Sequence, residues 1–355
     1  MIHKIREGIV FFGLSFLIAL SGAEAALRVM NRAEAGGAAN IIRPEDVDLT
    51  FNRAGFRDRD YAERKDPGVF RILVSGNSAT FGVSVGSRQT YVKQLEELLN
   101  KGHTPSRFEV INAGVPAWNI LYQKEFLESR GIGFDPDLIL IGYTLNSAEG
   151  FYVPPEDLFT AGSKYEGSKE VLHRSPREWA SPLLAHRDRH AALPLASRLT
   201  QEVKLWCANH SHLYRYLRWR YDLTQQPFQS RDYPKSLYYQ EAAEHWIPCR
   251  EALKAIGQTF RAHRIPAVLV VFPFFVNLKS GPGPGQGYRW EDLHALVASA
   301  GHEAGMTVID LLPVFRGWDP RDISVDPYHM NPTGHRLAAE AIYNALAQSR
   351  LIPGE

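Results

Sequence analysis

Apolar residues along this chain fall into two alternating textures from about residue 70 onward. Short runs rich in apolar residues occupy 70–75, Phe108–Asn112, Asp137–Tyr143, Ala267–Phe272 and Thr307–Leu312. The four consecutive apolar residues Leu138–Ile141 suit a strand buried on both faces, as parallel sheets require. Helical spacing lies between them, near 89–100, where Tyr91, Leu95, Leu98 and Leu99 share a face, and near 119–130, 290–304 and 332–347. Strands alternating with helices in this way predict an α/β fold built on a parallel sheet.

Three stretches break the rhythm. Residues 31–69 are polar, rich in Arg, Asp and Gly, and without a period, which reads as an ordered lead-in segment to a domain covering 70–348. The interval of roughly 150–245 is rich in Tyr, Trp, His and Arg and reads as a mostly helical insertion. It includes Trp179, Trp206 and Trp219, borders Trp246, and contains the run Leu213–Tyr221. An amphipathic helix covering the sheet with snorkelling arginines is one reading of that run; a sugar-binding groove or a membrane-facing surface is the other. The loop Ser280–Gly287 follows a strand and reads either as a mobile pocket rim or as an inert surface loop.

The chain opens with a basic patch, Met1–Arg6, followed by an apolar run from Ile9 to Leu20 and the small-x-small pattern Ala23-Glu24-Ala25. This is the arrangement of an export signal. The fifteen residues Ile9–Ala23 fall short of a comfortable bilayer span, yet Ala26–Met30 can extend them. Residues 1–30 are therefore either a cleaved signal or an uncleaved anchor giving membrane association through 9–30. Both place the body outside the cytoplasm, in a periplasmic or extracellular space. Forty basic and 39 acidic residues leave a net charge of +1, which gives no footprint for nucleic acid. The two cysteines, Cys207 and Cys249, either pair in that oxidising space or remain separate thiols, and they are too few and too far apart for a zinc site.

Candidate chemistry concentrates in two places. Arg71–Gly82 is an apolar run stopping at Gly76-Asn77-Ser78 before helical spacing, which sets Ser78 at the carboxyl edge of a sheet beside the first amides of a helix. Ser78 is a nucleophile there, or an ordinary helix-capping serine. Far downstream, Asp326 and His329 stand three apart just before a helix that Pro332 can start. A carboxylate on one imidazole nitrogen leaves the other free to take a serine proton. His335, inside that helix, competes as a base or packs as a structural histidine; a zinc reading of Asp326, His329 and His335 lacks further ligands.

Four blocks together, Gly76-Asn77-Ser78 with Thr80 and Gly82, Asn112-Ala113-Gly114, Gly142–Asn146, and Asp326-x-x-His329, resemble the SGNH, or GDSL-like, hydrolase superfamily. The resemblance covers most of 70–348. It implies a three-layer, flavodoxin-like five-stranded parallel sheet with a mostly helical insertion, and no cofactor or metal. It further implies Ser78 as nucleophile, His329 as base and Asp326 as its orienter, with an oxyanion hole from the Ser78 amide, the Gly114 amide and the Asn146 side chain. Gly114, by residue type alone, also suits a strand end where a side chain would obstruct a substrate carbonyl. The chain departs from the family at Asn77 and Ser147, where aspartate is usual. The implied activity is an exported serine esterase removing acyl groups, O-acetyl foremost, from a carbohydrate or small ester. A polysaccharide O-acetyltransferase using the same site, and a catalytically silent glycan-binding envelope component, are the alternatives. Oligomeric state is not legible.

Overall fold

The computed structural model describes residues 18–26, 50–62, 64–101, 106–148, 195–225, 245–279 and 287–353, with Ser15, Lys235 and Tyr238. Its elements in chain order are β1 (Val69–Gly76), α1 (Ser78–Phe81), α2 (Tyr91–Lys101), β2 (Arg107–Gly114), α3 (Ile120–Ser129) and β3 (Leu138–Thr144). The helices α4 (Leu195–His210), α5 (His212–Gln225) and α6 (Trp246–Ala262) follow. The chain continues through β4 (Ala267–Phe272), α7 (Glu291–Glu303), β5 (Thr307–Asp310), α8 (Leu312–Phe315), α9 (Pro320–Ile323) and α10 (Pro332–Gln348).

The five strands form one all-parallel sheet in the order β2-β1-β3-β4-β5. Because successive strand side chains point to opposite faces, each apolar run feeds two cores at once. Leu73, Ile111, Ile139, Ile141, Leu269 and Val271 pack beneath α3, α6 and α7, while Ile72, Val74, Val110, Leu140 and Val270 pack beneath α2 and α10. This is the doubly covered sheet expected from the sequence. Helix α6 was not: its apolar residues Trp246, Cys249, Leu253, Ile256 and Phe260 recur at helical spacing, but they border the aromatic-basic insertion and merge with its texture.

Strand β2 is a sheet edge, and its outward amides are closed by side chains rather than by another strand. Asn100 Oδ1 accepts from Phe108 N, Glu96 Oε1 from Val110 N, Asp58 Oδ2 from Asn112 N, and Asn112 Oδ1 from Gly114 N, at 2.8–3.0 Å. An edge so occupied cannot template pairing with another chain. Asp58 belongs to the lead-in, whose described part, from residue 50, delivers Phe56 to the core.

The run Leu213–Tyr221 is helical, yet it does not lay its apolar face on the sheet. Tyr216, Leu217 and Tyr221 of α5 and Val203 and Trp206 of α4 are exposed, and Arg321 of the α9 turn sits over the Tyr216 ring. The disulfide reading is also corrected. Cys207 and Cys249 are both free thiols; Cys249 lies on the buried face of α6, and that burial pushes its pKa up to about 12. Most of 1–30 and 150–194, and the 280–286 loop, lie outside the described residues. Among the described residues no helix is long and apolar enough to cross a membrane.

Candidate active site

Strand order reverses between β1 and β3, and the crevice beyond their carboxyl ends is where open α/β sheets receive ligands. Ser78 follows β1 there, as the first residue of α1. The capping role that a serine could have filled belongs to Asn77, whose Oδ1 accepts from Ala79 N at 3.1 Å, so the Ser78 hydroxyl is released from it. The turn is tightly nested. A Cβ on Gly76 would stand 1.9 Å from Thr80 Oγ1, and one on Gly142 2.6 Å from the same atom. Beneath it, buried Arg57 donates to the carbonyls of Phe81, Gly82 and Val85 at 2.7–3.1 Å, placing a cation on the C-terminal end of α1.

The second half of the site hangs between β5 and α10. An antiparallel bridge between Ser324 and Met330 pinches the loop, Val325 N donates to His329 O, and Phe275 N ties it to β4 through Pro327 O at 2.8 Å. Asn331 caps α10 through Gly334 N, with Pro332 in its first turn as the sequence predicts. Within the pinch, Asp326 Oδ1 accepts the Tyr328 and His329 amides, and its Oδ2 accepts from His329 Nδ1 at 2.7 Å. His329 Nε2 lies 2.9 Å from Ser78 Oγ. Burial pushes the Asp326 carboxyl up, but the charge and bond of His329 with the two amides outweigh it and hold it below the ordinary carboxylate value. For His329, burial lowers the pKa and Asp326 raises it by charge and hydrogen bond, leaving it above the ordinary histidine value.

His335 does not compete. It is buried, its Nδ1 accepts from Tyr91 N at 3.1 Å, and it stacks on the Tyr91 ring. Burial above all, then the charges of Arg57 and His329, lowers its pKa to about 3. With Nδ1 committed to an amide, it cannot join Asp326 and His329 around a zinc ion, and no metal-binding group of three converges among the described residues. A further aspartate–histidine pair, missed in the sequence because its members lie on α7 and β5, is internal. His294 bridges Asp310 Oδ1 at 2.7 Å and Tyr288 OH at 3.0 Å, and Tyr288 OH accepts from Phe274 N, which anchors the segment after β4.

Gly114 requires a correction. Its amide faces the outer edge of β2 and is spent on Asn112 Oδ1, so it is not an available donor. The absent side chain serves packing instead: a Cβ there would meet Phe81 N at 2.4 Å and Thr80 C at 2.7 Å, the backbone of α1 itself. Immediately after Gly114, Val115–Trp118 forms a tight turn closed by Trp118 N to Val115 O at 3.2 Å, with Pro116 second and Ala117 third at φ 64°. That is the signature of a type II turn, whose third position favours glycine. Among the described residues, the amides of Ala117 and Ser78 have no hydrogen-bond partner. Asn146, in the 3-10 turn Leu145–Ala148 that follows β3, accepts from Thr144 Oγ1 through its Oδ1 at 2.5 Å, which leaves its Nδ2 group as a donor.

A serine hydroxyl, an imidazole and a carboxylate thus stand in one hydrogen-bonded line at the switch point of a parallel sheet. The chain belongs to the GDSL-like lipase/acylhydrolase family, whose profile matches residues 74–337. Solved structures with similarity include the acetyl xylan esterase AlAXEase, at 13% identity over 78% of this chain and 100% of that one, TM-score 0.42. A catalytic variant of Axe2, an acetylxylan esterase from Geobacillus stearothermophilus, matches at 14% identity over 81% and 95%, TM-score 0.42. A two-domain esterase active on acetylated mannans matches at 14% over 81% of this chain and 50% of that one, TM-score 0.43. No curated protein matches the chain.

Proposed function

We propose that this hydrolase cleaves acyl esters through an acyl-enzyme on Ser78, with His329 as the base and Asp326 as its orienter. The observation that carries the reading is the continuous line from Ser78 Oγ through the imidazole to Asp326, with bonds of 2.9 and 2.7 Å. Ser78 Oγ attacks the ester carbonyl as its proton passes to His329 Nε2. The oxyanion is received by the free donors, the Ser78 and Ala117 amides and Asn146 Nδ2, rather than by Gly114. Collapse expels the alcohol, which takes the proton back from His329. Water then repeats the sequence on the acyl-enzyme and releases the acid. The substrate is an O-acetylated carbohydrate or another small uncharged ester outside the cytoplasm, a reading supported by the export pattern of residues 1–25 and the balanced charge.

Brief exposure of the purified chain to p-nitrophenyl acetate, followed by mass spectrometry, tests this. An acetyl adduct mapping to Ser78, and turnover lost in Ser78→Ala and His329→Ala, is the expected result. A folded Ser78→Ala protein that turns over at the wild-type rate would overturn it.

A further inference from the structure

We propose that Asn77, Thr144 and Ser147 are positioning residues: an uncharged relay that holds the Asn146 amide with its oxygen turned inward and its N–H pair presented to the oxyanion. The proposal rests on the Ser78 acyl-enzyme reading and adds how one of its donors is fixed. An amide side chain has two orientations of similar shape, and only one presents N–H groups to a developing negative charge.

The direction of the relay is set at one end by a group that can only donate. Ala79 N–H bonds Asn77 Oδ1 at 3.1 Å, which forces Asn77 to present Nδ2 at its other side. That group donates to Thr144 Oγ1 at 2.6 Å. A threonine hydroxyl has one proton, and with its oxygen already accepting, the proton goes to Asn146 Oδ1 at 2.5 Å. Ser147 closes the fourth side. Its Oγ accepts from Thr144 N at 3.1 Å and lies 3.4 Å from Asn77 Nδ2, so its own proton points to Thr144 Oγ1, 3.2 Å away. Asn77, Thr144 and Ser147 are each under a tenth exposed, which keeps water from substituting for any link. The same asparagine thus caps the helix that carries the nucleophile and orients the donor facing the product of its attack.

A carboxylate at position 77 would still accept from Ala79 N, but its second oxygen would take the Thr144 proton in a charge-assisted bond. The relay would run backwards, and Asn146 Oδ1 would lose its partner.

The test uses the full chain and p-nitrophenyl acetate, with kcat, KM, acetyl-adduct formation and thermal midpoint measured together. Thr144→Val is expected to lower kcat by roughly 10²-fold, the scale of losing one oxyanion donor, with KM within about threefold. Thr144→Ser restores the hydroxyl and is expected to remain within about threefold of wild type, and Thr144→Val combined with Asn146→Ala to be no slower than Asn146→Ala alone. Asn77→Asp, which keeps the cap, is expected to lose at least about tenfold in kcat while remaining folded, and stands in for Thr144→Val should that protein not fold. Adduct formation at the wild-type rate in folded Thr144→Val or Asn77→Asp, or losses that multiply in the double variant, overturns the relay alone. Wild-type protein that forms no Ser78 adduct overturns the acyl-enzyme reading and the relay with it.

Discussion

Replacing Gly114 by alanine separates two explanations of why that position is glycine. Alanine keeps the backbone N–H, so a glycine valued only as an amide donor would tolerate the change. In this fold the added methyl would stand 2.4 Å from Phe81 N, 2.7 Å from Thr80 C and 2.9 Å from Thr80 Cβ. The first of these is about 1 Å short of ordinary van der Waals contact, and two of the three are backbone atoms that no rotamer change can move. The strain must be relieved by shifting α1 against β2, and α1 begins with Ser78. Overpacking of this kind costs about 1–3 kcal/mol, which lowers Tm by several degrees. In the proposed mechanism, a displacement near 1 Å of Ser78 Oγ, held 2.9 Å from His329 Nε2, is expected to cost on the order of 10²-fold in kcat/KM. Steady-state hydrolysis of p-nitrophenyl acetate and thermal denaturation of Gly114→Ala measure both. Wild-type kcat/KM and Tm together would refute the packing argument.

Three other outcomes follow from the site. The proposed mechanism requires neutral His329, whose pKa is raised, so kcat/KM is expected to fall as pH drops through a value above the ordinary 6.5. In Asp326→Asn that acidic limb moves to lower pH while kcat falls by about 10⁴-fold, as in other Ser-His-Asp sites, and a limb moving upward contradicts the assignment. His335 is neutral in the fold with its pKa lowered to about 3, so the unfolded chain binds a proton there that the folded chain does not. The stability it contributes is complete above pH 6.5 and declines as pH falls toward 3, by about 2 kcal/mol at pH 5; urea unfolding of His335→Asn between pH 7 and 4 should show a shallower decline. Ala117 sits at φ 64°, which costs a non-glycine residue about 1 kcal/mol, so Ala117→Gly should raise Tm with activity retained and Ala117→Val should lower it.

The inner strands were legible because they are buried on both faces, which leaves runs such as Leu138–Ile141 no polar alternation to blur them. Asp326 and His329 were legible because one tight loop brings both together, and Ser78 because a strand, a glycine and a helix are written consecutively. Gly114 was misread because the direction of an amide depends on whether its strand is an edge, and that is a property of the sheet rather than of the segment. Ala117 carries no mark in the sequence, since its turn conformation is one in which glycine would have announced itself. Arg57 and His294 act through partners more than fifteen residues away, beyond any local period. One reading of Leu213–Tyr221 was a face covering the sheet, and the fold leaves Tyr216, Leu217 and Tyr221 of that run exposed.

Two adjacent residues of the lead-in bear on where this protein begins as a working unit. Arg57 holds the carbonyls below Ser78, while Asp58 takes the Asn112 amide of β2, the Tyr61 hydroxyl and the Lys93 ammonium. The stretch shared with the family starts at 74 and ends at 337, inside β1 and inside α10. The stretch that matches the family is therefore narrower than the set of elements packed together in this chain. Family similarity and packing trace different limits, and the loop carrying Arg57 and Asp58 lies outside the first and inside the second.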